Sequence, residues 1–247
     1  MATQGDADIA AVAALAADPS RARILLALGD GRALPASVLA DEAGVSASTA
    51  SEHLARLVKG GLLKVERHGR HRYFRVALPE VGEMIEALAR LASPAPVRSL
   101  RQGTRAAAVR SARTCYDHLA GRLGTGMMEA MLERELLAGG DGLFSNGDRL
   151  SAPGSEVDYR LTADGAQWLS DLGIDVSALP RRRPLIRYCV DWSEQRHHLA
   201  GSLGAALCSR LFELSWIRRA PKGRAVFVTP EGAKGLRESL GLDFSPT

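Results

Sequence analysis

The architecture of the N-terminal half follows from one segment, Gly44-Val45-Ser46-Ala47-Ser48-Thr49-Ala50-Ser51-Glu52-His53-Leu54. A short helix is predicted just before it, over residues 35–43. Gly44 permits the tight turn that follows this helix, because glycine tolerates a left-handed backbone. Ser46 is placed to cap a second helix that runs to about Lys59. Two helices joined by such a turn are predicted to form a helix-turn-helix.

A β-hairpin is predicted directly after this motif. The pair Gly60-Gly61 ends the second helix. Residues 62–67 and 72–76 then contain β-favouring side chains and are predicted to form two strands. A turn at Gly69 joins the two strands. A helix-turn-helix followed by a basic hairpin predicts a winged-helix domain.

Amphipathic helices are predicted on both sides of this core. Asp18 and Pro19 suit the N-cap and first position of an earlier helix. Pro79 begins a later one, whose apolar residues recur every three or four positions: Val81, Ile85, Leu88 and Leu91. A self-associating helix of this kind fits a homodimer.

The exposed face of the second helix and the wing carry the candidate DNA-binding residues. The major groove admits one α-helix and presents a distinct pattern for each base pair, so short hydroxyls, Glu52 and Arg56 suit phosphates and base edges. The wing adds basic side chains for phosphates or the minor groove. The predicted set is Ser46, Ser48, Thr49, Ser51, Glu52, His53, Arg56, Lys64, Arg67, Arg70 and Arg72. Two alternatives remain open: His53 is a half-buried structural residue, and the charged hairpin tip is only solvated.

Composition describes an ordinary globular chain of 247 residues with a formal net charge of +4, which permits acidic partners such as DNA. Three cysteines are too few for a disulfide scaffold, and we find neither a charged leader nor an apolar run of 18 residues. We therefore expect a soluble cytoplasmic protein without membrane contact.

A proline-rich break and a basic stretch separate two halves of the chain. Their composition favours a linker or a connecting helix. The expected boundaries are a winged helix-turn-helix domain at 1–92, a basic connection at 93–112, and a C-terminal domain for sensing or assembly at 113–247.

The second half contains an internal repeat, with copies expected at 113–175 and 184–243. Cys115-Tyr116-Asp117-His118-Leu119-Ala120-Gly121 in the first copy matches Cys189-Val190-Asp191 and His198-Leu199-Ala200-Gly201 in the second, where six additional residues separate the two parts. We expect each copy to contain two helices, a strand pair and a Thr-capped helix, as in a degenerate winged helix. The predicted fold class is therefore α+β, mainly α-helical with small β wings.

The repeat also places thiols and imidazoles at matching points, which are Cys115, His118, Cys189 and His198. Cysteine and histidine three residues apart on a helix would face the same way. Pseudo-twofold packing would then gather a set able to bind Zn²⁺, a soft metal ion or a metalloid, or to act as a redox pair. The alternative is structural, since free cysteine often packs as a small apolar residue. Whether the protein has a cofactor therefore stays open.

The N-terminal half resembles the ArsR/SmtB family over roughly its first 92 residues. The motifs that carry the resemblance are residues 17–24, the Ser-x-Ser-Thr-x-Ser-x-His-Leu pattern at residues 46–54, and Arg70-His71-Arg72-Tyr73-Phe74-Arg75-Val76. The resemblance implies a homodimeric winged-helix repressor that leaves its operator when a metal, metalloid or other inducer binds.

This chain departs from the metal sensors of that family. No cysteine lies in residues 35–43 and no histidine in residues 79–92, where the resemblance would place the sensing sites. We therefore expect an inducer to act through the C-terminal half. The expected function is a DNA-binding regulator of a palindromic operator, more specifically a repressor. The alternatives are a metal, metalloid or thiol-redox sensor and a constitutive DNA binder, while an enzyme is not expected.

Overall fold

A computed structural model describes residues 6–68, 71–93, 100–144 and 158–245. The chain divides into an N-terminal unit, Met1–Ile85, and a C-terminal unit, Glu86–Thr247. The domain boundaries expected from the sequence stay a prediction. Gly69 and Arg70 lie outside the described residues, as do residues 94–99 of the predicted connection.

The N-terminal unit is a winged helix-turn-helix, which confirms the predicted fold class. Three antiparallel strands pair in the order β1-β3-β2. The elements in chain order are α1 (Ile9–Ala16), α2 (Pro19–Leu28), β1 (Leu34–Pro35), α3 (Ala36–Ala43), α4 (Ala47–Lys59), β2 (Leu63–His68), β3 (His71–Val76) and α5 (Pro79–Leu91). Helix α5 continues past the division into the C-terminal unit.

The turn at Gly44 and the helix cap at Ser46 are formed as the sequence predicted. Gly44 ends α3 with a left-handed φ of 70°. The Ser46 side chain accepts a hydrogen bond from the Thr49 backbone N at 3.2 Å and so caps α4. Apolar side chains from α2, α3, α4 and the wing form the core, among them Ile24, Leu25, Leu28, Leu39, Leu54, Leu57 and Phe74. This core fixes α4 against α2 and α3.

The C-terminal unit contains the same order of elements twice. After α6 (Leu100–Ser111), each copy has a hairpin, a helix, a second strand pair and a Thr-capped helix. The first copy comprises β4 (Arg113–Cys115), β5 (His118–Ala120), α7 (Gly121–Glu133), β6 (Leu137–Ala138), β7 (Arg160–Leu161) and α8 (Ala163–Asp171). The second comprises β8 (Arg187–Val190), β9 (His197–Ala200), α9 (Gly201–Glu213), β10 (Ile217–Arg219), β11 (Val226–Val228) and α10 (Pro230–Leu240).

The predicted start of each repeat was wrong. Cys115 and His118 do not lie on a helix; they face each other across the hairpin β4–β5. Tyr116 takes a left-handed φ of 56° in the two-residue turn between them, which a helix cannot accommodate. In the second copy the additional residues lengthen this turn, and Cys189 still pairs with His198. Neither repeat therefore has the winged-helix order that the sequence predicted.

The two copies pack reciprocally, since α7 contacts β9 and α9 contacts β5. Glycines make this approach possible. A Cβ added at Gly204 in α9 would lie 3.3 Å from the His118 Cβ, and one at Gly124 in α7 would lie 3.6 Å from the His198 Cβ. The hairpins of the two copies are thereby brought together inside one chain.

Among the described residues, no helix combines the length and apolar character needed to cross a bilayer.

Candidate functional site

Helix α4 presents one polar face to solvent. Ala50, Leu54 and Leu57 are buried on its other side. Ser46, Ser48, Ser51, Glu52 and Arg56 are all exposed, and Thr49 is half-buried. The outward face predicted for DNA contact is therefore the face that the fold leaves accessible.

The hydroxyls at the start of α4 are held by local hydrogen bonds. Ser46 Oγ lies 2.9 Å from both Ser48 Oγ and Thr49 Oγ1. Ser51 Oγ donates to the Ala47 carbonyl at 2.9 Å. These bonds orient the hydroxyls before any ligand arrives, and the longer side chains of the same face extend beyond them.

His53 is the member of the predicted set that the structure places differently. It is half-buried, and its Nε2 lies 3.9 Å from Asp18 Oδ1 at the N-cap of α2. Its Nδ1 is buried with no hydrogen-bond partner among the described residues. The alternative of a half-buried structural His53 fits this position beside Asp18.

The wing places like charges opposite each other. Arg67 pairs with Arg72 across β2 and β3, and Lys64 pairs with Arg75. Lys64, Arg67 and Arg72 are exposed, whereas Arg75 also forms an ion pair with Glu66 at 2.5 Å. Like charges directly opposite in a hairpin are destabilising. An anionic partner such as a phosphate backbone relieves this repulsion.

The C-terminal unit brings the four repeated Cys and His residues together. One ligand atom from each lies within 4.8 Å of the others, and the set is Cys115, His118, Cys189 and His198. We call this set the Cys/His cluster. Cys189 is half-buried and the other three are buried. The two imidazoles stack with their centroids 5.2 Å apart. Each hairpin thus contributes one thiol and one imidazole.

Each imidazole of the cluster has a carboxylate beside its Nδ1. His118 Nδ1 lies 3.3 Å from Asp117 Oδ1, and His198 Nδ1 lies 3.7 Å from Asp191 Oδ2. The Nε2 atoms of both rings, and also Nδ1 of His198, are buried and have no hydrogen-bond partner in the described part of the chain. The recurrence of the aspartates in the sequence therefore has a geometric counterpart.

Burial and the neighbouring groups shift the pKa values of three members of the cluster. The adjacent Cys189 thiol and burial raise the pKa of Cys115 well above its usual value. Burial and the neighbouring His118 lower the pKa of His198 well below its usual value. Burial alone would lower the pKa of His118, but the adjacent Cys115 and Asp117 raise it to about 9. The pKa values of the two imidazoles of the cluster are therefore shifted in opposite directions.

A buried ion pair that sequence reasoning missed supports the cluster. Arg113 and Asp191 are fully buried, with Arg113 Nη2 donating to Asp191 Oδ2 at 2.8 Å. The same oxygen accepts from the Gly121 backbone N at 2.6 Å, at the start of α7. Burial alone would raise the pKa of Asp191, but Arg113 holds it below its usual value. The guanidinium also lies 4.4 Å from the centre of the Trp192 ring.

A capped helix with an accessible polar face, followed by a basic hairpin, defines a winged-helix DNA-binding protein. A family model described as a helix-turn-helix domain matches residues 16–66. Over 236 residues the chain is 40% identical to the uncharacterized HTH-type transcriptional regulator YdfF of Bacillus subtilis (strain 168), and the match covers 95% of this chain and 98% of that protein. The chain belongs to this family of HTH-type transcriptional regulators, and it is a DNA-binding transcriptional regulator.

Solved structures with similarity to the chain match about a third of it. HlyU from Vibrio cholerae N16961 is 30% identical over 33% of this chain and 88% of that chain, with a TM-score of 0.31. The homodimeric winged helix-turn-helix domain of Mb0332 from Mycobacterium bovis, a possible ArsR-family regulator, is 29% identical over 36% of this chain and 88% of that chain, with a TM-score of 0.31. The cadmium metal-sensor CMTR from Mycobacterium tuberculosis is 30% identical over 38% of this chain and 100% of that chain, with a TM-score of 0.30. The predicted helix-turn-helix transcriptional regulator is confirmed by the family model and by the Bacillus subtilis relative.

Proposed function

We propose that this regulator is a homodimeric repressor that binds a palindromic operator and leaves it when an inducer acts through the C-terminal unit. One α4 helix from each protomer enters the major groove, and the wing contacts the flanking phosphates. The observation that carries the proposal is the exposed polar face of α4 directly before a hairpin in which Arg67 lies opposite Arg72.

The residues of α4 divide by chemistry. Ser46 and Ser48 contact phosphates through hydroxyls already oriented at the helix start. Glu52 accepts from a cytosine amino group, and Arg56 donates to guanine or to a phosphate. Because each base contact contributes about 1 to 3 kcal/mol of discrimination, Arg56→Ala is expected to weaken specific binding by that amount.

Dimerisation is supported by α5. Val81 and Ile85 are buried on one side of this helix, whereas Leu88 and Leu91 are 47% and 73% exposed. Exposed leucines on one helix are typical of a surface that a second chain covers. The Mb0332 domain, which is 29% identical, is described as homodimeric. Two α4 helices in a symmetric dimer would meet successive major grooves about 34 Å apart.

The test is a fluorescence anisotropy titration of the full-length protein with DNA from the region upstream of its own gene. Arg56→Ala should lower affinity for the specific site by about 10- to 100-fold and leave nonspecific affinity nearly unchanged. Arg67→Ala should weaken both specific and nonspecific binding. It should also reduce the slope of log binding constant against log salt concentration by about 1. Arg160→Ala is the matched control, since it removes the same group from an exposed position in the C-terminal unit. Wild-type affinity in Arg56→Ala would refute the assignment of α4.

DNA-binding titrations do not test repression or release by an inducer, so these need a separate measurement. The family resemblance implies repression, and the larger C-terminal unit is the expected place for an inducer. A reporter under the bound promoter should be derepressed by deletion of the gene. Addition of Zn²⁺, arsenite or an oxidant to the complex tests metal-, metalloid- or thiol-based release, which the Cys/His cluster favours as the second candidate function. Binding that ignores all three agents and every candidate metabolite would instead support a constitutive DNA binder.

A further inference from the structure

We propose that the Cys/His cluster is a tetrahedral metal site that binds one Zn²⁺ ion between the two repeats of the C-terminal unit. The ligands would be the Sγ atoms of Cys115 and Cys189 and the Nε2 atoms of His118 and His198. This inference goes beyond the DNA-binding function and does not depend on it, because metal binding is measured without DNA.

The spacing of the donors fits such an ion. Zn–S bonds of about 2.3 Å and Zn–N bonds of about 2.0–2.1 Å give a tetrahedron with edges of about 3.3 to 3.8 Å. One sulfur or imidazole nitrogen atom from each of the four residues already lies within 4.8 Å of the others. To reach tetrahedral positions around the ion, the ligand atoms therefore need to move by about 1 Å or less, which side-chain rotation can supply.

The unsatisfied imidazole nitrogens point to a missing partner. A buried polar atom without a hydrogen bond destabilises the folded state, and the Nε2 atoms of both His118 and His198 are in this state among the described residues. A purely structural role would account for one buried and one half-buried thiol. It would leave both nitrogens unsatisfied, whereas coordination satisfies them together.

The surroundings of the rings have the form that metal-binding histidines need. A ligating histidine usually turns its second nitrogen toward a carboxylate, which orients the ring and raises its basicity. Asp117 and Asp191 lie beside the Nδ1 atoms of His118 and His198. Asp191 is itself held by Arg113 and the Gly121 backbone. Asp117 pairs with Arg183 at 2.8 Å. Both carboxylates are therefore held in position before an ion binds.

The donor set indicates which ion is bound and what it does. Two thiolates and two imidazoles in a tetrahedron suit Zn²⁺, and four protein ligands leave no open position for a substrate. Because each hairpin supplies one thiol and one imidazole, the ion would fasten the two repeats to each other. Metal binding would then contribute directly to the stability of the C-terminal unit.

The experiment uses full-length protein, reduced and freed of metal by a chelator. Titration with Co²⁺ should give one bound ion per chain, with the visible absorption of tetrahedral cobalt and a thiolate-to-cobalt charge-transfer band. Zn²⁺ should displace the cobalt. Cys115→Ser and Cys189→Ser should each weaken binding by at least 100-fold, and Asp117→Asn by about 10- to 100-fold. Cys208→Ser is the matched control, because Cys208 is the third cysteine of the same unit and lies outside the cluster.

A measurement on the wild-type protein keeps the test independent of how the variants fold. X-ray absorption of the zinc-loaded protein should show two sulfur and two nitrogen neighbours at the distances above. Zinc should also protect the half-buried Cys189 from alkylation in the denaturant-free protein. Octahedral cobalt, a shell of oxygen and nitrogen only, or binding that survives both serine variants would overturn the proposal. So would an oxidant-formed Cys115–Cys189 disulfide in a protein that binds no metal.

Discussion

Replacing Asp191 by alanine should destabilise the C-terminal unit by about 3 to 5 kcal/mol, because it leaves the Arg113 guanidinium buried without its counter-ion. Both side chains are fully buried. The acceptors that remain for Arg113 are the Val109 carbonyl at 3.3 Å and Ser193 Oγ at 3.2 Å, and both are neutral. The Gly121 backbone N also loses its 2.6 Å acceptor.

Urea unfolding followed by tryptophan fluorescence measures this loss. Trp168, Trp192 and Trp216 are all in the C-terminal unit, so the signal reports on that unit alone. The midpoint should fall in proportion to the lost free energy at unchanged slope. Asp243→Ala is the control: its pair with Arg237 is exposed, and the change should stay within about 0.5 kcal/mol.

A double variant separates the ion pair from general damage. Arg113→Met removes the stranded charge, so Arg113→Met/Asp191→Ala should be more stable than the sum of the single changes implies. A loss below about 1 kcal/mol in Asp191→Ala, or strict additivity in the double variant, would refute the reasoning.

Three further variants test other parts of the structure. Glu86→Ala removes one member of a buried ion pair and should cost the C-terminal unit about 3 to 5 kcal/mol in the same urea assay; Glu80→Ala, at an exposed position of the same helix, should change little. Gly204→Ala places a Cβ 2.5 Å from a carbonyl of β9, so it should lower the melting temperature and weaken Co²⁺ binding, and wild-type values of both would contradict the packing described. Ser46→Ala removes the cap of α4 and should speed hydrogen exchange at the start of that helix, at a cost of about 1 kcal/mol, whereas Ser48→Ala should leave the exchange rates unchanged.

The winged helix-turn-helix could be predicted because its signals are local. Gly44 marks the turn, Ser46 marks the cap, and the apolar spacing of α4 defines its buried side, so each is visible within a few residues. Strand β1 was missed for the opposite reason. It consists of only Leu34 and Pro35, and it exists through pairing with Phe74 and Tyr73 about 40 residues later.

Cys115 and His118 were correctly predicted to lie side by side, although the predicted secondary structure was wrong. Cys115 and His118 were expected on one face of a helix, and the structure places them on one face of a hairpin instead. A spacing of three residues satisfies both, because side chains opposite each other across a two-residue turn share a face. The left-handed Tyr116, which decides between the two, has no distinctive sequence signal.

The buried arginine could not have been predicted from the sequence. Arg113 lies in a strongly basic stretch, where a solvated position is the ordinary expectation. Its burial depends on Asp191 and Trp192, which the fold brings from the second repeat. Only the reciprocal packing of the two copies makes these three residues neighbours.

Hydroxyl-radical footprinting of the full-length protein on its own operator tests the central claim most directly. The account predicts two symmetric protected regions with centres about one helical turn apart, and their loss in Arg56→Ala. A single protected half-site, or uniform protection that ignores DNA sequence and survives Arg56→Ala, would contradict a dimer that recognises its operator through α4.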